Sequence, residues 1–285
     1  MRNKPYTRLD MIGRGGTSRV YKVVSPGNEI LALKRVQIDH SEPETMNGYM
    51  NEIRLLKRLD GNDRIIRLID SDTKTTGSNK ALLLLLMELG EIDVAKLLQE
   101  QQKRPVDFVW VAYYFKQMLE AVHVIHEEKI IHSDLKPANF VLVKGQLKLI
   151  DFGIANAIAN DTTNVHRDHQ VGTVNYMSPE TIENPDGRVS ERHFKVGRAS
   201  DVWSLGCILY QMVYGHPPFH YCSGIVQKMK AIPDPNVPIQ FPTTAIINTM
   251  KRCLARNAKE RATIPELLME NWLTMREREL SISAF

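Results

Sequence analysis

From Tyr6 to Glu88 the apolar residues come in short, alternating runs, the pattern that sends neighbouring side chains to opposite faces of a strand. Runs at Tyr6 to Ile12, Arg19 to Val24 and Glu29 to Val36 are separated by a glycine cluster at 13–16 and by a Ser25-Pro26-Gly27-Asn28 turn, which predicts an antiparallel sheet. Ser41 and Glu44 then stand at capping-box spacing, and Tyr49, Ile53 and Leu56 follow at steps of four and three. The spacing predicts a helix from about Glu44 to Leu59 with Glu52 in its middle. Ile65 to Asp70 and Ala81 to Glu88 read as two further strands around a polar loop, Ser71 to Lys80. Five strands and one helix make a small lobe.

Beyond Glu91 the period changes. Val111, Phe115, Met118, Val122 and Ile125 recur at steps of four and three, the signature of an amphipathic helix. Asp201 to Met212 is apolar nearly all round and predicts a buried helix, ended by Gly215 and the Pro217-Pro218 pair. Ile154 to Gln170 and Glu183 to Arg198 are polar and without period, and are expected to be mobile. The expected class is α+β in two lobes, residues 1–88 with a five-stranded antiparallel sheet and one helix, and residues 89–285, larger and mainly helical.

Composition excludes more than it assigns. In 285 residues, 43% apolar and 25% charged usage is ordinary for a globular chain and rules out disordered, collagen-like and coiled-coil classes. The net charge of +4 is spread over interspersed signs, so no nucleic-acid-binding stripe is expected. Cys207, Cys222 and Cys253 match no metal clamp or disulfide framework, which suggests a reducing compartment. The longest apolar run, Ala81 to Met87, is too short to cross a bilayer, and the amino end carries no stretch of signal-peptide length. A soluble protein without a membrane partner is expected.

Three groups of residues carry candidate chemistry. Ile12-Gly13-Arg14-Gly15-Gly16-Thr17-Ser18-Arg19-Val20 lies between two predicted strands, where backbone without side chains can approach phosphates and offer N–H donors. Taken alone, such a cluster is more often just a hairpin turn, and it lacks the Gly-Lys-Ser/Thr ending of a P-loop. Ala32-Leu33-Lys34 sets a lysine in an apolar strand, where it needs an anionic partner, and Glu52 is the candidate. His132-Ser133-Asp134-Leu135-Lys136-Pro137-Ala138-Asn139 and Ile150-Asp151-Phe152-Gly153 flank a hairpin of Phe140 to Val143 and Leu147 to Ile150 with Lys144-Gly145 as its turn.

Together these motifs resemble the eukaryotic protein kinases over roughly Tyr6 to Leu273. The resemblance implies a bilobal kinase-like fold and ATP with magnesium as cofactors. It implies that Lys34 orients the α- and β-phosphates and pairs with Glu52, that Asn139 and Asp151 hold magnesium, that Asp134 accepts the hydroxyl proton and that Lys136 steadies the γ-phosphate. Residues 12–20, with Ala32, would line the nucleotide. Met87 would be the gatekeeper, with the backbone at Glu88 and Gly90 bonding adenine. His132 would brace the catalytic loop, and Asp151 to Glu180 would be the activation segment, ending in Met177-Ser178-Pro179-Glu180 with Glu180 paired to Arg261.

The catalytic-loop motif, Leu147-Lys148-Leu149-Ile150-Asp151-Phe152-Gly153-Ile154-Ala155-Asn156, Gln170-Val171-Gly172-Thr173-Val174-Asn175-Tyr176-Met177 and Asp201 to Tyr210 are similar to the monopolar spindle (TTK-like) kinases. That resemblance implies transfer to serine and threonine, with tyrosine left open, and protein substrates among kinetochore or spindle checkpoint proteins. It also implies a nuclear and cytoplasmic location at kinetochore or spindle. The family carries an amino-terminal extension that does not precede Met1, so an excised or shortened catalytic domain is expected. Ser18 replaces the third loop glycine, and Ser133 replaces the arginine that ordinarily clamps an activation-loop phosphate. Thr162, Thr163 and Thr173 are candidate sites of autophosphorylation, implying transient self-association in trans. A catalytically inactive scaffold and a small-molecule phosphotransferase are the competing readings. The full set Lys34, Glu52, Asp134, Asn139 and Asp151 speaks against the first, and the long segment before Glu180 against the second.

Overall fold

A computed structural model describes residues 5–39, 43–75, 80–152, 173–183 and 197–274. By internal contacts they divide into two compact units. One takes the chain through Ile92 together with a stretch beginning at Val141, and the other takes Asp93–Phe140 and the chain from Gln170 onward.

The first unit is built on β1 (Thr7–Arg14), β2 (Ser18–Val24), β3 (Ile30–Asp39), α1 (Pro43–Arg58), β4 (Leu68–Thr75) and β5 (Lys80–Glu88). The five strands form one antiparallel sheet in the order β1-β2-β3-β5-β4. Val23, Leu31 and Leu86 form a buried cluster joined by Tyr6, Tyr21 and Leu33. Ala32, Lys34 and Val36 alternate with that set along β3 and are all buried, so the lysine sits in a row of core residues. Ile53, Leu55 and Leu56 make the buried side of α1. Ser41, half of the expected cap, lies outside the described residues.

One strand departs from the sequence reading. β4 runs through Ser71 to Thr75, the start of the expected loop, while Ile65 and Ile66 stand outside it. β4 is an edge strand, so its polar side chains face water while its backbone pairs with β5, as in Asp72 with Leu84 and Thr73 with Leu83. Ile65 is instead bridged in parallel to Leu149.

The unit boundary departs as well. A two-residue strand β6 (Ile92–Asp93) and the hairpin strands β7 (Phe140–Val143) and β8 (Gln146–Leu149) form a second sheet. The hairpin was expected to belong with the helical lobe, yet from Val141 it joins the first unit. Glu91 N–H donates to Leu142 at 2.7 Å and Leu149 N–H to Arg64 at 2.8 Å. A Cβ on Gly90 would lie 2.8 Å from Val141 Cβ, so this close approach requires glycine. The turn forms as expected, with φ of 51° at Lys144 and 80° at Gly145, both positive as a two-residue type I′ turn demands.

The second unit holds α2 (Val94–Gln101), α3 (Phe108–Glu127), α4 (Pro179–Glu183), α5 (Arg198–Tyr214), α6 (Ile225–Ala231), α7 (Ile247–Cys253), α8 (Ile264–Leu268) and α9 (Asn271–Thr274). Asp107 caps α3 by accepting from Val109 N–H at 2.9 Å, and Thr263 and Glu266 form a capping box on α8. α5 is buried nearly all round, as its composition predicts, and packs closely on α7: a Cβ on Gly206 would lie 2.6 Å from Cys253 Cβ. The two stretches expected to be mobile fall almost wholly outside the described residues.

Candidate active site

In the first unit β3, α1 and the end of the β7–β8 hairpin bring three predicted residues together. Lys34 lies opposite Val20 on β2 and Leu85 on β5, a register that points its side chain to the buried row. Its ammonium donates to Asp151 and stands 3.9 Å from Glu52 Oε1. Burial alone would lower the pKa of this ammonium, but the carboxylates of Asp151 and Glu52 outweigh it and raise the value, so the lysine is charged. Glu52 is displaced upward, first by burial and also by the second carboxylate, against the pull of Lys34. One cation thus serves two carboxylates. Asp151 is the more hydrated, with its side chain 48% exposed, and it sits at a left-handed φ of 54°, a strained setting for a non-glycine residue.

Above Lys34, β1 and β2 are joined by the glycine-rich turn. Gly15 N–H donates to Ser18 at 3.0 Å, and the Arg19 guanidinium donates to the carbonyls of Gly15 and Ser18 at 3.0 and 2.9 Å. A side chain at Gly15 would meet Ser18 Oγ at 2.6 Å, so the serine in the third glycine position closes the turn on itself. Tyr49 of α1 hydrogen-bonds Thr17 and feels the charge of Lys34, a link between helix and turn that sequence periodicity read only as apolar spacing.

Past Met87, Glu88 also does more than sequence reading assigned. Its carboxylate accepts from Arg67 N–H at 2.7 Å and from Lys148 Nζ at 2.7 Å, tying the end of β5 to β8.

In the second unit the loop Ser133 to Asn139 carries the other predicted set. Lys136 Nζ donates to Asp134 Oδ2 at 2.8 Å and to Thr173 Oγ1 at 3.3 Å, and Asn139 Oδ1 accepts from Lys136 N–H at 3.1 Å. His132 is buried and its Nδ1 accepts from Asp134 N–H at 3.3 Å, the bracing role expected for it. Beneath the loop lies Asp201, fully buried in the first turn of α5. Its Oδ2 accepts from His132 N–H at 2.9 Å and contacts His126 Nε2 at 2.8 Å, and its Oδ1 accepts from Ser133 N–H at 2.9 Å. These bonds hold Ser133 at a φ of 61° directly before Asp134. Sequence reading took Asp201 only as the start of an apolar helix. A carboxylate entering such a helix was the available signal, because a buried acid needs several donors.

The expected Glu180 to Arg261 pair is present and bidentate, at 2.6 and 2.7 Å, with Ser200 Oγ adding a bond at 2.7 Å. Of the candidate phosphosites, Thr162 and Thr163 lie outside the described residues, as do Gly153 and the segment up to Gly172.

The first unit holds a glycine-rich turn over a buried lysine paired with acids, and the second holds a looped Asp-x-Lys-x-x-Asn, and both are residue groups of the kind phosphoryl transfer uses. A family model described as protein kinase domain matches residues 6–273, and the chain belongs to that family. It is 46% identical over 295 aligned positions to the serine/threonine-protein kinase mph1 of Schizosaccharomyces pombe, covering 95% of this chain and 43% of that protein. It is similar to the probable serine/threonine-protein kinase mps1 of Dictyostelium discoideum, at 49% identity covering 95% of this chain and 28% of that protein. The dual specificity protein kinase TTK of Mus musculus is 45% identical, with coverage of 92% and 31%. The chain spans less than half the length of these relatives.

Proposed function

We propose that the chain transfers the γ-phosphate of ATP to serine and threonine hydroxyls of proteins, with tyrosine accepted as well, and that it acts in the spindle assembly checkpoint. The observation that carries the transfer chemistry is the pairing of Lys136 with Asp134 at 2.8 Å. The Asp134 carboxylate oxygens can receive a proton from an incoming hydroxyl, while the ammonium is placed to meet a transferred phosphoryl group. Lys34 supplies a second fixed cation for the α- and β-phosphates, kept charged by Asp151 and Glu52. The turn at residues 12–20 covers the phosphates, Ala32 and Met87 flank adenine, and the backbone at Glu88 and Gly90 bonds it.

Magnesium suits the donors present: Asp151 and Asn139 offer hard carboxylate and amide oxygens, and the Asn139 oxygen keeps a second lone pair beyond the one used by Lys136 N–H. An ion held by such oxygens would neutralise phosphate charge. The checkpoint role, with kinetochore or spindle proteins as substrates, rests on similarity to the mps1 and TTK proteins. Autophosphorylation in trans at Thr162, Thr163 and Thr173 would raise activity without an arginine at position 133. The doubly substituted T162A/T163A chain is expected to turn over more slowly, and an unchanged rate would refute this.

Purified chain incubated with labelled ATP, magnesium and a generic protein substrate should transfer label, and Asp134→Asn should not. ATP binding without transfer in either would favour the inactive-scaffold reading.

A further inference from the structure

Tyr49 and Glu52 stand three residues apart on α1, a separation that sets both side chains on one helix face. Glu52 uses that face to stand 3.9 Å from Lys34. Tyr49 uses it to reach the glycine-rich turn, where its hydroxyl hydrogen-bonds the side chain of Thr17. Burial, with the charges of Glu52 and Asp151, pushes the phenol above its ordinary value against the opposing pull of Lys34. It is therefore a neutral hydroxyl, able to donate as well as accept, set among the charged groups of the site. Thr17 is exposed in the turn between β1 and β2, and its carbonyl accepts from Gln37 N–H of β3 at 3.0 Å. Gly13, Gly15 and Gly16 precede it and leave that turn cheap to bend, a freedom that a side-chain tether to α1 restricts. The amides at the tip belong to Gly16 and Thr17, so the place of Thr17 sets where donors to a phosphate stand.

We propose that Tyr49 is a positioning residue for the nucleotide: its hydroxyl latches the glycine-rich turn to α1, in the same seat of the helix that keeps Glu52 at Lys34. The inference rests on the reading of this turn as the cover of the ATP phosphates. The latch adds no charge to the site. It lowers the cost of ordering a glycine-rich segment, a cost that nucleotide binding would otherwise carry in full. It also joins two elements that sequence places far apart, so that a shift of α1 drawing Glu52 from Lys34 slackens the turn as well.

The test is equilibrium binding of a fluorescent ATP analogue with magnesium to the full chain, alongside Tyr49→Phe, Thr17→Val and the double variant. Each single change removes the same hydrogen bond and little volume, so each should weaken binding about three- to tenfold. The double variant should bind no more weakly than either single one, because one bond is lost only once. In Tyr49→Phe, amide exchange over residues 13–18 should quicken while exchange in α1 and the melting temperature stay as they were. In phosphate transfer the same variant should raise the KM for ATP by a similar factor and leave the KM for a peptide substrate unmoved. Undiminished binding in either single variant, losses that multiply in the double, or faster exchange throughout α1 overturns the latch and leaves the kinase reading standing. An unmodified chain that binds no nucleotide removes that reading and the latch together.

Discussion

Two buried cation–carboxylate contacts, one in each unit, are built on opposite plans. Arg261 in the second unit is saturated: its Nε donates to Ala255, and its terminal nitrogens donate to both oxygens of Glu180 and to the carbonyls of Ala199 and Arg256. The guanidinium also lies 5.0 Å from the Trp203 ring centroid. A planar fork with five donors is suited to such complete satisfaction. Lys34 in the first unit is a point charge shared between two carboxylates, one at 3.9 Å and the other half in solvent. The first arrangement holds structure and has no capacity for a ligand. The second carries surplus negative charge and strained backbone at Asp151, and a nucleotide with its metal ion would satisfy both its cation and its acids.

The largest effect that would break this contrast is catalytic. Lys34→Met should lower the rate of phosphate transfer by about a hundredfold or more, judged against the contributions of single electrostatic groups. The melting transition should move little, because Asp151 can hydrate and buried Glu52 can take up a proton. A variant that unfolds instead would make Lys34 a structural cation like Arg261.

Arg261→Met is the converse. It strands a buried carboxylate and removes the donors from three backbone carbonyls, so a loss of about 3–5 kcal/mol in denaturant unfolding is expected. Retention of wild-type stability would show that the clamp contributes nothing net.

Asp201→Asn is expected to fall between the two. The amide keeps one acceptor oxygen for the N–H groups of His132 and Ser133 and offers donors where a carboxylate accepted, so a loss of about 1–3 kcal/mol should accompany a drop in turnover with little change in KM for ATP. Equal loss of turnover and nucleotide affinity would mean that Asp201 supports more than the catalytic loop.

How far the chain could be read from sequence differs between these same regions. The lysine, its glutamate and the looped aspartate were legible because their types and spacing are unusual inside apolar strands and turns. The small sheet was legible because its strands are short and bounded by glycine and proline. The course of β4 was not, since an edge strand can carry polar residues such as Asp72, Thr73 and Lys74 that look like loop. Nor was the allegiance of the β7–β8 hairpin, which depends on backbone bonds from Arg64 and Glu91 that leave no mark on side-chain pattern. Asp201 and the Glu88 to Lys148 contact escaped for a related reason: each is a partnership between distant positions, and periodicity reports only near ones.

The smallest effect sharpens the comparison through pH. Glu180 has its pKa lowered, burial pushing it up and the hydrogen bonds and charge of Arg261 more than reversing that. Its folded value lies below the unfolded 4.5, so its contribution to stability is present above that pH and fades as pH falls through the folded value. Glu52 runs the other way. Its folded value lies above the unfolded 4.5, chiefly by burial, so the folded chain binds the extra proton and stability from this group declines as pH rises from there. Unfolding midpoints measured across the acidic range should therefore rise with pH through the lower part, and Glu180→Gln should flatten that rise. In the upper part Glu52→Gln should remove a decline instead. If the two glutamine variants altered the profile in the same direction, the contrast between a satisfied clamp and an over-acidic site would fail.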